Sequence, residues 1–572
     1  MLEETAGLLD LKGENSFKVR AYENAARALL AFEGDISEAV ASRELLNVRG
    51  IGSSIFAGIE SLVKTGRFPL YDDLRAALPA GLSDFLRVPG LGARKAKALY
   101  DGLGVDSLDA LEKACLEGRL EGLKGFGSRS VANILKGIAL LRVSAGSFHY
   151  HTARRKAEEL LAALARTKLV AKASIAGSLR RRREVIRDID LLAVSKEPDA
   201  LAKAFRELNG VADVIGSGET KTSVRFADGL TADLRVVAEE ELPAALLYFT
   251  GSKEHNTALR GRAKRLGFKL NEYGLFHEKS ETRVPCASEA EIYETLGLAY
   301  IEPELREDRG EIEAAESGQL PELIGEKDLK GLIHLHTTES DGRDPLERML
   351  TAVRDAGYSY AAITDHSKTA AYAGGLTEER VLEQREEIRK LRPKFPGFRI
   401  FHGTEADILA DGSIDFGDAF LEGFDLVVAS VHSRFGLSPE EQTSRLVRAV
   451  SNPRVSVLGH PTGRLLLERE GFTADMEKVI AAAADSGCAI EINASPHRLD
   501  LDWRLCRQAA DRGVPLAIDP DAHSAEGLAD TAYGVGIARK GWVTAKSTLN
   551  AKTAGQLETW LEGRRGKPLP PT

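Results

Sequence analysis

The spacing of apolar residues changes character several times along the chain. Through residues 1–145 it follows a helical period in short segments separated by glycine-rich turns, as in Ser-Ser-Ile-Phe-Ala-Gly-Ile-Glu-Ser-Leu-Val (53–63) and Ser-Arg-Ser-Val-Ala-Asn-Ile-Leu (128–135). From about 146 to 240 helical and strand spacing alternate, which predicts a small α+β unit. Amphipathic helices are expected over His151–Ala165 and over 199–208. Strands are expected over Ser174–Ala176, from Asp188 onward and over Leu230–Val237. Residues 241–310 read as mostly helical, and the polar, acidic stretch 311–327 with Pro321 reads as a linker. From 328 onward short apolar strands alternate with helices, and a histidine or an acid stands at one strand end after another. Repeated βα units of this kind predict a barrel with its site at the carboxyl ends of the strands.

Strand alternation places chemistry as well as core. Asp188 and Asp190 fall on one face of their strand, Ile189 and Leu191 on the other. Asp233 and Arg235 share a face of a second strand. Like charges side by side repel unless cations sit there. A Gly177–Ser178 turn and the run Arg180–Arg183 lie just upstream and suit an anion. Three carboxylates on adjacent strands can hold two divalent ions about 3.5–4 Å apart, the arrangement for in-line phosphoryl transfer. The bland alternative is that the arginines form a solvated loop that pairs with the acids.

Three turns in the first 145 residues resemble one another: Val48–Gly52, Val88–Gly92 and Leu123–Gly127. Each is Gly-Xaa-Gly with an apolar middle residue, the helix-hairpin-helix pattern. The glycines Gly50, Gly52, Gly90, Gly92, Gly125 and Gly127 let the backbone approach a phosphate, and the following helix presents its N–H groups there. Such contacts bind DNA largely without regard to sequence.

The chain of 572 residues has a net charge of -9, which at first argues against nucleic acid. The charge is uneven. Residues 1–310 carry 46 basic and 45 acidic side chains, whereas 311–572 carry 31 and 41. The acidity belongs to the C-terminal part, and local patches upstream can still meet phosphates. Hydrophobic content of 43% and charged content of 28% are those of a globular protein. The N-terminus lacks a signal-peptide pattern, no apolar run approaches a membrane span, and Cys115, Cys286, Cys488 and Cys506 are scattered without a Cys-Xaa-Xaa-Cys pair. A cytoplasmic protein with reduced cysteines is expected.

Gly-Ser-Leu-Arg-Arg (177–181), Asp-Ile-Asp-Leu-Leu (188–192), Asp-Leu-Arg-Val-Val (233–237), Tyr-Phe-Thr-Gly-Ser (248–252) and Asn-Glu-Tyr-Gly-Leu-Phe (271–276) occur in one order. In this the chain resembles the bacterial branch of the DNA polymerase X family, over its whole length. The resemblance implies an N-terminal DNA-binding domain over 1–85, a fingers-like domain over 86–145, a nucleotidyltransferase palm over 146–240 and a helical thumb over 241–310. It implies Asp188, Asp190 and Asp233 as ligands of Mg²⁺ or Mn²⁺, with Asp233 also helping to deprotonate the primer 3′-hydroxyl. Gly177, Ser178 and Arg181 would hold the triphosphate. Tyr248, Phe249 and Gly251 would line the sugar pocket, Asn256 would reach the base, and Arg260 would touch the template strand. Two positions depart from the family: Arg182 and Arg187 stand where glycines are usual. Gly58 stands where lyase-active members carry a Schiff-base lysine, so lyase chemistry is not expected.

The part from 328 to 572 resembles the polymerase and histidinol phosphatase (PHP) domain, a distorted barrel of seven βα units. Six of the chain's 12 histidines stand at its strand ends. His334, His336, Asp341, His366, Glu405, His432, His460, Asp521 and His523 match that family's nine ligands, which implies a centre of three Mn²⁺ or Zn²⁺ ions that activates water against a phosphoester. Arg464, His497 and Arg498 are candidate phosphate contacts. The expectation is a monomeric repair polymerase that fills short gaps in primer–template DNA from deoxynucleoside triphosphates, joined to a 3′–5′ exonuclease or 3′-end phosphodiesterase. The alternatives are a repair scaffold with weakened polymerase activity, favoured by Arg187, and a nucleotidyltransferase with a non-DNA acceptor.

Overall fold

A computed structural model describes residues 1–566 apart from 31, 33–35, 49, 80, 89–90 and 219. The backbone divides into two compact units, Met1–Ala145 and Gly146–Thr572.

The first unit is built from short helices around one apolar core. Ile51, Leu91 and Phe126, the middle residues of the three glycine turns, are all buried in it. Helices Ser53–Thr65, Ala93–Leu103 and Ser128–Ser144 begin directly after Gly52, Gly92 and Gly127, and none of these N-termini has a side-chain cap. Their first-turn N–H groups thus lack a side-chain acceptor. Gly50 and Gly125 take φ of 103° and 95°, which a side chain would oppose. Gly90 lies outside the described residues.

In the second unit a five-stranded sheet comes first. Its order is Lys172–Ile175, Asp188–Val194, Thr231–Val237, Lys221–Phe226, Val211–Ser217. Only the Asp188 and Thr231 strands run parallel, in a register that sets Asp190 opposite Asp233. Ile189, Leu191 and Leu234 point the other way, into a core shared with the helix Tyr150–Arg166. The strand expected at Ser174–Ala176 runs Lys172–Ile175 instead. Gly177–Arg180 is a turn of helix rather than a plain turn.

The next stretch, expected to be helical, also contains a three-stranded antiparallel sheet over Phe268–Asn271, Gly274–His277 and Arg283–Val284. The expected linker is ordered too. Glu311–Glu316 is a helix with Glu311, Ile312, Ala314 and Ala315 buried. Composition misled here because Glu311 is acidic for an internal reason: its carboxylate lies 2.7 Å from His255 Nδ1 and accepts the backbone N–H groups of Asp308 and Arg309. His255 in turn lies 2.9 Å from the Tyr293 hydroxyl. Burial lowers the pKa of His255 against the pull of Glu311, so the imidazole is a neutral donor to a carboxylate.

The remainder is a barrel of seven parallel strands in sequence order, Gly331–Leu332, Tyr360–Ile363, Arg399–Asp407, Leu426–Ser430, Val457–Leu458, Ala489–Asn493 and Leu516–Asp519. Side chains complete the ring between its first and last strands. Asp519 accepts from the Ile333 N–H at 2.6 Å, and Asn550 bonds the Gly331 carbonyl and both backbone groups of Ile518. Cys115, Cys488 and Cys506 are buried and Cys286 half-buried, all as free thiols. No helix among the described residues is long and apolar enough to cross a membrane.

The Glu311 network makes a stability prediction. Glu311→Ala removes the acceptor of the buried His255 ring and of the Asp308 and Arg309 N–H groups, which should cost about 3 kcal/mol. Urea or thermal unfolding should show a lowered midpoint; an unchanged midpoint would place Glu311 outside the folding core.

Candidate functional site

Two groups of side chains suited to cations occupy the second unit. The first is on the five-stranded sheet. Asp190 stands beside Asp233 by register, and Asp188 lies two residues along on the same face. Burial, then the charges of Asp188 and Asp233, push the Asp190 carboxyl up to about 6. Lys221 Nζ meets Asp233 at 2.5 Å, a cation among acids that sequence reasoning did not single out. Its signal was present: Lys221 opens the neighbouring strand, paired with Arg235. Gly177 is obligatory, because it has φ of 61° and an added Cβ would sit 2.0 Å from Asp190 Oδ2. Three hard oxygen ligands on rigid strands suit Mg²⁺ or Mn²⁺.

The arginine run beside these acids is not a solvated loop. Arg180 makes a two-pronged pair with Glu289 at 2.9 and 2.6 Å, and the buried Arg306 joins the same carboxylate at 2.7 Å. Arg181 donates to Glu307 at 3.1 Å and to the Thr250 carbonyl. Arg183 also reaches Glu307, at 3.5 Å. Lys540, from the barrel helix Thr531–Lys540, closes this cluster at 2.5 Å from Glu307 and donates to the Arg181 carbonyl at 3.0 Å. Arg181 is thus already engaged by Glu307 and Thr250.

The two departures from glycine behave differently. Arg182 does take positive φ, 56°, and its side chain lies against the Tyr150 ring and Gly536 of the barrel helix. Arg187 is exposed and stays outside the left-handed region, so the backbone there needs no glycine. Gly251 has φ of 71° and an added Cβ would come within 2.9 Å of Arg181. Tyr248 and Phe249 pack edge to face, with the Arg235 guanidinium 4.1 Å above the Phe249 ring. Asn256 donates to the Tyr248 carbonyl at 2.7 Å, and Arg260 projects from the same exposed helix face. In the first unit, a Cβ on Gly58 would meet the Phe68 ring at 2.5 Å, which leaves no room for a lysine.

The second group stands at the carboxyl ends of the barrel strands, and it contains all nine residues singled out there. Glu405 is central. Its Oε2 lies 2.9 Å from His366 Nδ1 and 3.4 Å from His334 Nε2, and its Oε1 lies 3.0 and 3.3 Å from His460 and His432. Asp521 approaches His336 at 3.2 Å, and Asp341 approaches His523 and His366 at 3.3 and 3.5 Å. Eight of the nine fall into three overlapping sets with the spacing of metal ligands: His336, Asp341, His366 and His523; His334, His336 and Asp521; His366, Glu405 and His432.

Buried His334 Nε2, both ring nitrogens of His336 and Glu405 Oε2 lack hydrogen-bond partners, as expected of atoms shaped to hold ions. Burial opposes charge on His366 and His432, yet Glu405 with Asp341 or Asp407 raises them to about 10 and 9. His336, buried beside His523 and His366, falls to about 3. A metal would replace the protons on the first pair. Two outer carboxylates were missed as positioning groups. Glu491 holds His334 Nδ1 at 2.6 Å, and Asp407 holds His432 Nδ1 at 2.6 Å, so each ring turns its Nε2 inward. Arg464 is mostly consumed by Asp502 and by the Arg498 and Leu499 carbonyls, so it is not free for a phosphate. Arg498 reaches toward Asp521 at 3.9 Å, while His497 lies near Glu468.

Comparison with known proteins follows this division. Residues 1–68 match a helix-hairpin-helix domain model, 82–139 a SAM-like helix-hairpin-helix tandem, 245–307 the DNA polymerase beta thumb and 333–495 the PHP domain. A DNA polymerase/3′-5′ exonuclease PolX of Bacillus subtilis is 38% identical over 98% of this chain and 98% of its own length. A repair DNA polymerase X of African swine fever virus is 32% identical over 24% of this chain and 84% of its own. A probable phosphatase of Thermoanaerobacter is 25% identical over 37% of this chain and 92% of its own. With a relative matched end to end, the thumb upstream and the nine-residue cluster downstream, the chain belongs to the DNA polymerase X family, in the form that carries a C-terminal PHP domain.

Proposed function

We propose that this chain is a repair DNA polymerase that fills short gaps, joined to a metal-dependent 3′–5′ exonuclease or 3′-end phosphodiesterase. The observation that carries it is the pairing of two chemically distinct sites in one chain: strand carboxylates in register beside a Gly-Ser turn, and a nine-ligand histidine centre in a barrel. In this reading 1–85 and 86–145 grip DNA, 146–240 is the palm, 241–310 the thumb and 328–572 the nuclease.

Divalent ions held by Asp188, Asp190 and Asp233 would stabilise the charge that develops on the transferring phosphoryl group and lower the pKa of the primer hydroxyl. The remaining work falls to the protein. Asp233 would accept the 3′-hydroxyl proton, and Lys221, its partner at 2.5 Å, is the group that a cation held there would displace. The Gly177–Ser178 turn brings backbone N–H groups to the triphosphate, with Arg181 alongside. Phe249, held under Arg235, supports a wall with Tyr248 and Gly251 against the sugar; Asn256 reads the base edge and Arg260 the template. Gly50, Gly52, Gly90, Gly92, Gly125 and Gly127 meet DNA phosphates. In the barrel, Glu405 orients the ligand histidines around a cleft open at Asp341 and His523, where the 3′ end enters. We assign Mg²⁺ or Mn²⁺ to the palm and three Mn²⁺ or Zn²⁺ ions to the barrel, in a monomeric cytoplasmic protein.

A paired assay on gapped DNA tests the division of labour. Asp190→Asn should lower extension at least 10³-fold, of the order of losing a metal-held transition state, and spare 3′ resection. His336→Ala should do the reverse. Loss of both activities in either variant would overturn the assignment of separate sites.

A second prediction follows from the raised Asp190 carboxyl. Its folded pKa of about 6 exceeds the ordinary 3.8, so the ionised group burdens the folded state above pH 6, and the burden disappears below pH 4. Asp190→Asn should therefore stabilise chelator-treated protein at pH 8 by up to about 3 kcal/mol and leave it unchanged at pH 4. Thermal melts across that range read the difference; a gain that grows toward low pH would contradict the crowding of the three acids.

A further inference from the structure

A third group of metal-ligand side chains lies where the palm meets the barrel, and it shares no residue with the two centres above. His149 ends the short strand Phe148–His149, which pairs with Val185–Ile186 immediately before Asp188. Glu468 and His497 come from barrel loops that follow the strands Val457–Leu458 and Ala489–Asn493. One donor atom from each of His149, Glu468 and His497 lies within 4.8 Å of the others.

The details suit an ion. His497 Nδ1 is 3.7 Å from Glu468 Oε1. Two ligands bound to Zn²⁺ at about 2.0–2.2 Å in a tetrahedron stand about 3.3–3.6 Å apart, so this pair needs only a small torsion. His149 Nε2 is 2.9 Å from the Leu466 carbonyl, which can only accept; the ring therefore donates from Nε2 and keeps a lone pair on Nδ1. A ring nitrogen bound outward to a carbonyl is the usual outer support of a metal-bound imidazole. The His151 ring is 5.4 Å from that of His497 and 5.6 Å from that of His149, and its buried Nδ1 has no hydrogen-bond partner. His497 and Glu468 are 50% and 58% exposed, which leaves a path for the ion to enter.

We propose that His149, Glu468 and His497, with His151 beside them, bind a divalent transition metal and so clip the strand that precedes the palm carboxylates to two loops of the barrel. Imidazole-rich donors with one carboxylate select Zn²⁺, Co²⁺ or Ni²⁺ over Mg²⁺ or Ca²⁺.

The test counts ions. Full-length protein is stripped, loaded with Zn²⁺, passed through a desalting column and analysed by plasma mass spectrometry. Glu468→Gln and His497→Gln should each hold one ion fewer per chain than the parent, and Glu468→Gln should keep its 3′-end hydrolysis. The same loss of one ion should appear when Glu468→Gln is placed in a His336→Ala background, where the barrel centre is already impaired. Equal ion counts with and without Glu468→Gln in both backgrounds would overturn the proposal.

Discussion

Buried carboxylates need cations or hydrogen-bond donors close by, and much of the second unit is arranged around that constraint. Glu289 and Glu307 meet arginines and a lysine, Glu311 meets a histidine and two backbone donors, and Glu405 meets four imidazoles. Burial raises the pKa of an unpaired carboxylate, whereas these four are held below their ordinary values because partners outweigh that cost. Asp190 behaves differently from these four. Burial and two neighbouring acids raise it, with only Arg235 and Lys221 opposing. Asp190 is thus left under-compensated by its surroundings, and an external cation placed beside it has much to gain.

The same ion pairs connect parts that the sequence keeps far apart. Glu307 accepts Arg181 and Arg183 from the palm loop and Lys540 from the barrel. Arg182 packs on Gly536 of the same barrel helix, which ties that loop to the barrel. On the other side of the loop, Glu184 faces Arg464 and Arg504 of the barrel. The Gly177–Arg183 loop is therefore braced by the barrel that carries the second cluster, and a change in one is positioned to be felt in the other.

Period-2 alternation was enough to place Asp188 and Asp190 on one face of their strand; that Asp233 stands beside them comes from the parallel register of the two strands. The barrel ligands were legible for a related reason: histidines and acids at successive strand ends converge on one rim. The sequence was silent wherever a partner comes from far along the chain. Nothing local marks Glu307 as the acceptor for Arg181, 126 residues away, or Lys540 as the third member. The Glu311 helix was read as linker because its acids look solvated until His255 and Tyr293 are placed beside them. The hairpin through Asn271 and Gly274 was overlooked inside a helical stretch, although Asn271 accepts from the N–H groups of Tyr273 and Gly274 as turn-forming asparagines do.

The central claim is that the sheet acids are built for divalent ions and that Lys221 stands on Asp233 only until they arrive. Anomalous diffraction at the manganese edge, from crystals soaked with Mn²⁺ and a non-hydrolysable deoxynucleoside triphosphate, tests it directly. The account predicts manganese peaks bounded by Asp188, Asp190 and Asp233, with Lys221 displaced from Asp233. A site without manganese, with the Lys221–Asp233 pair intact beside bound nucleotide, would contradict it.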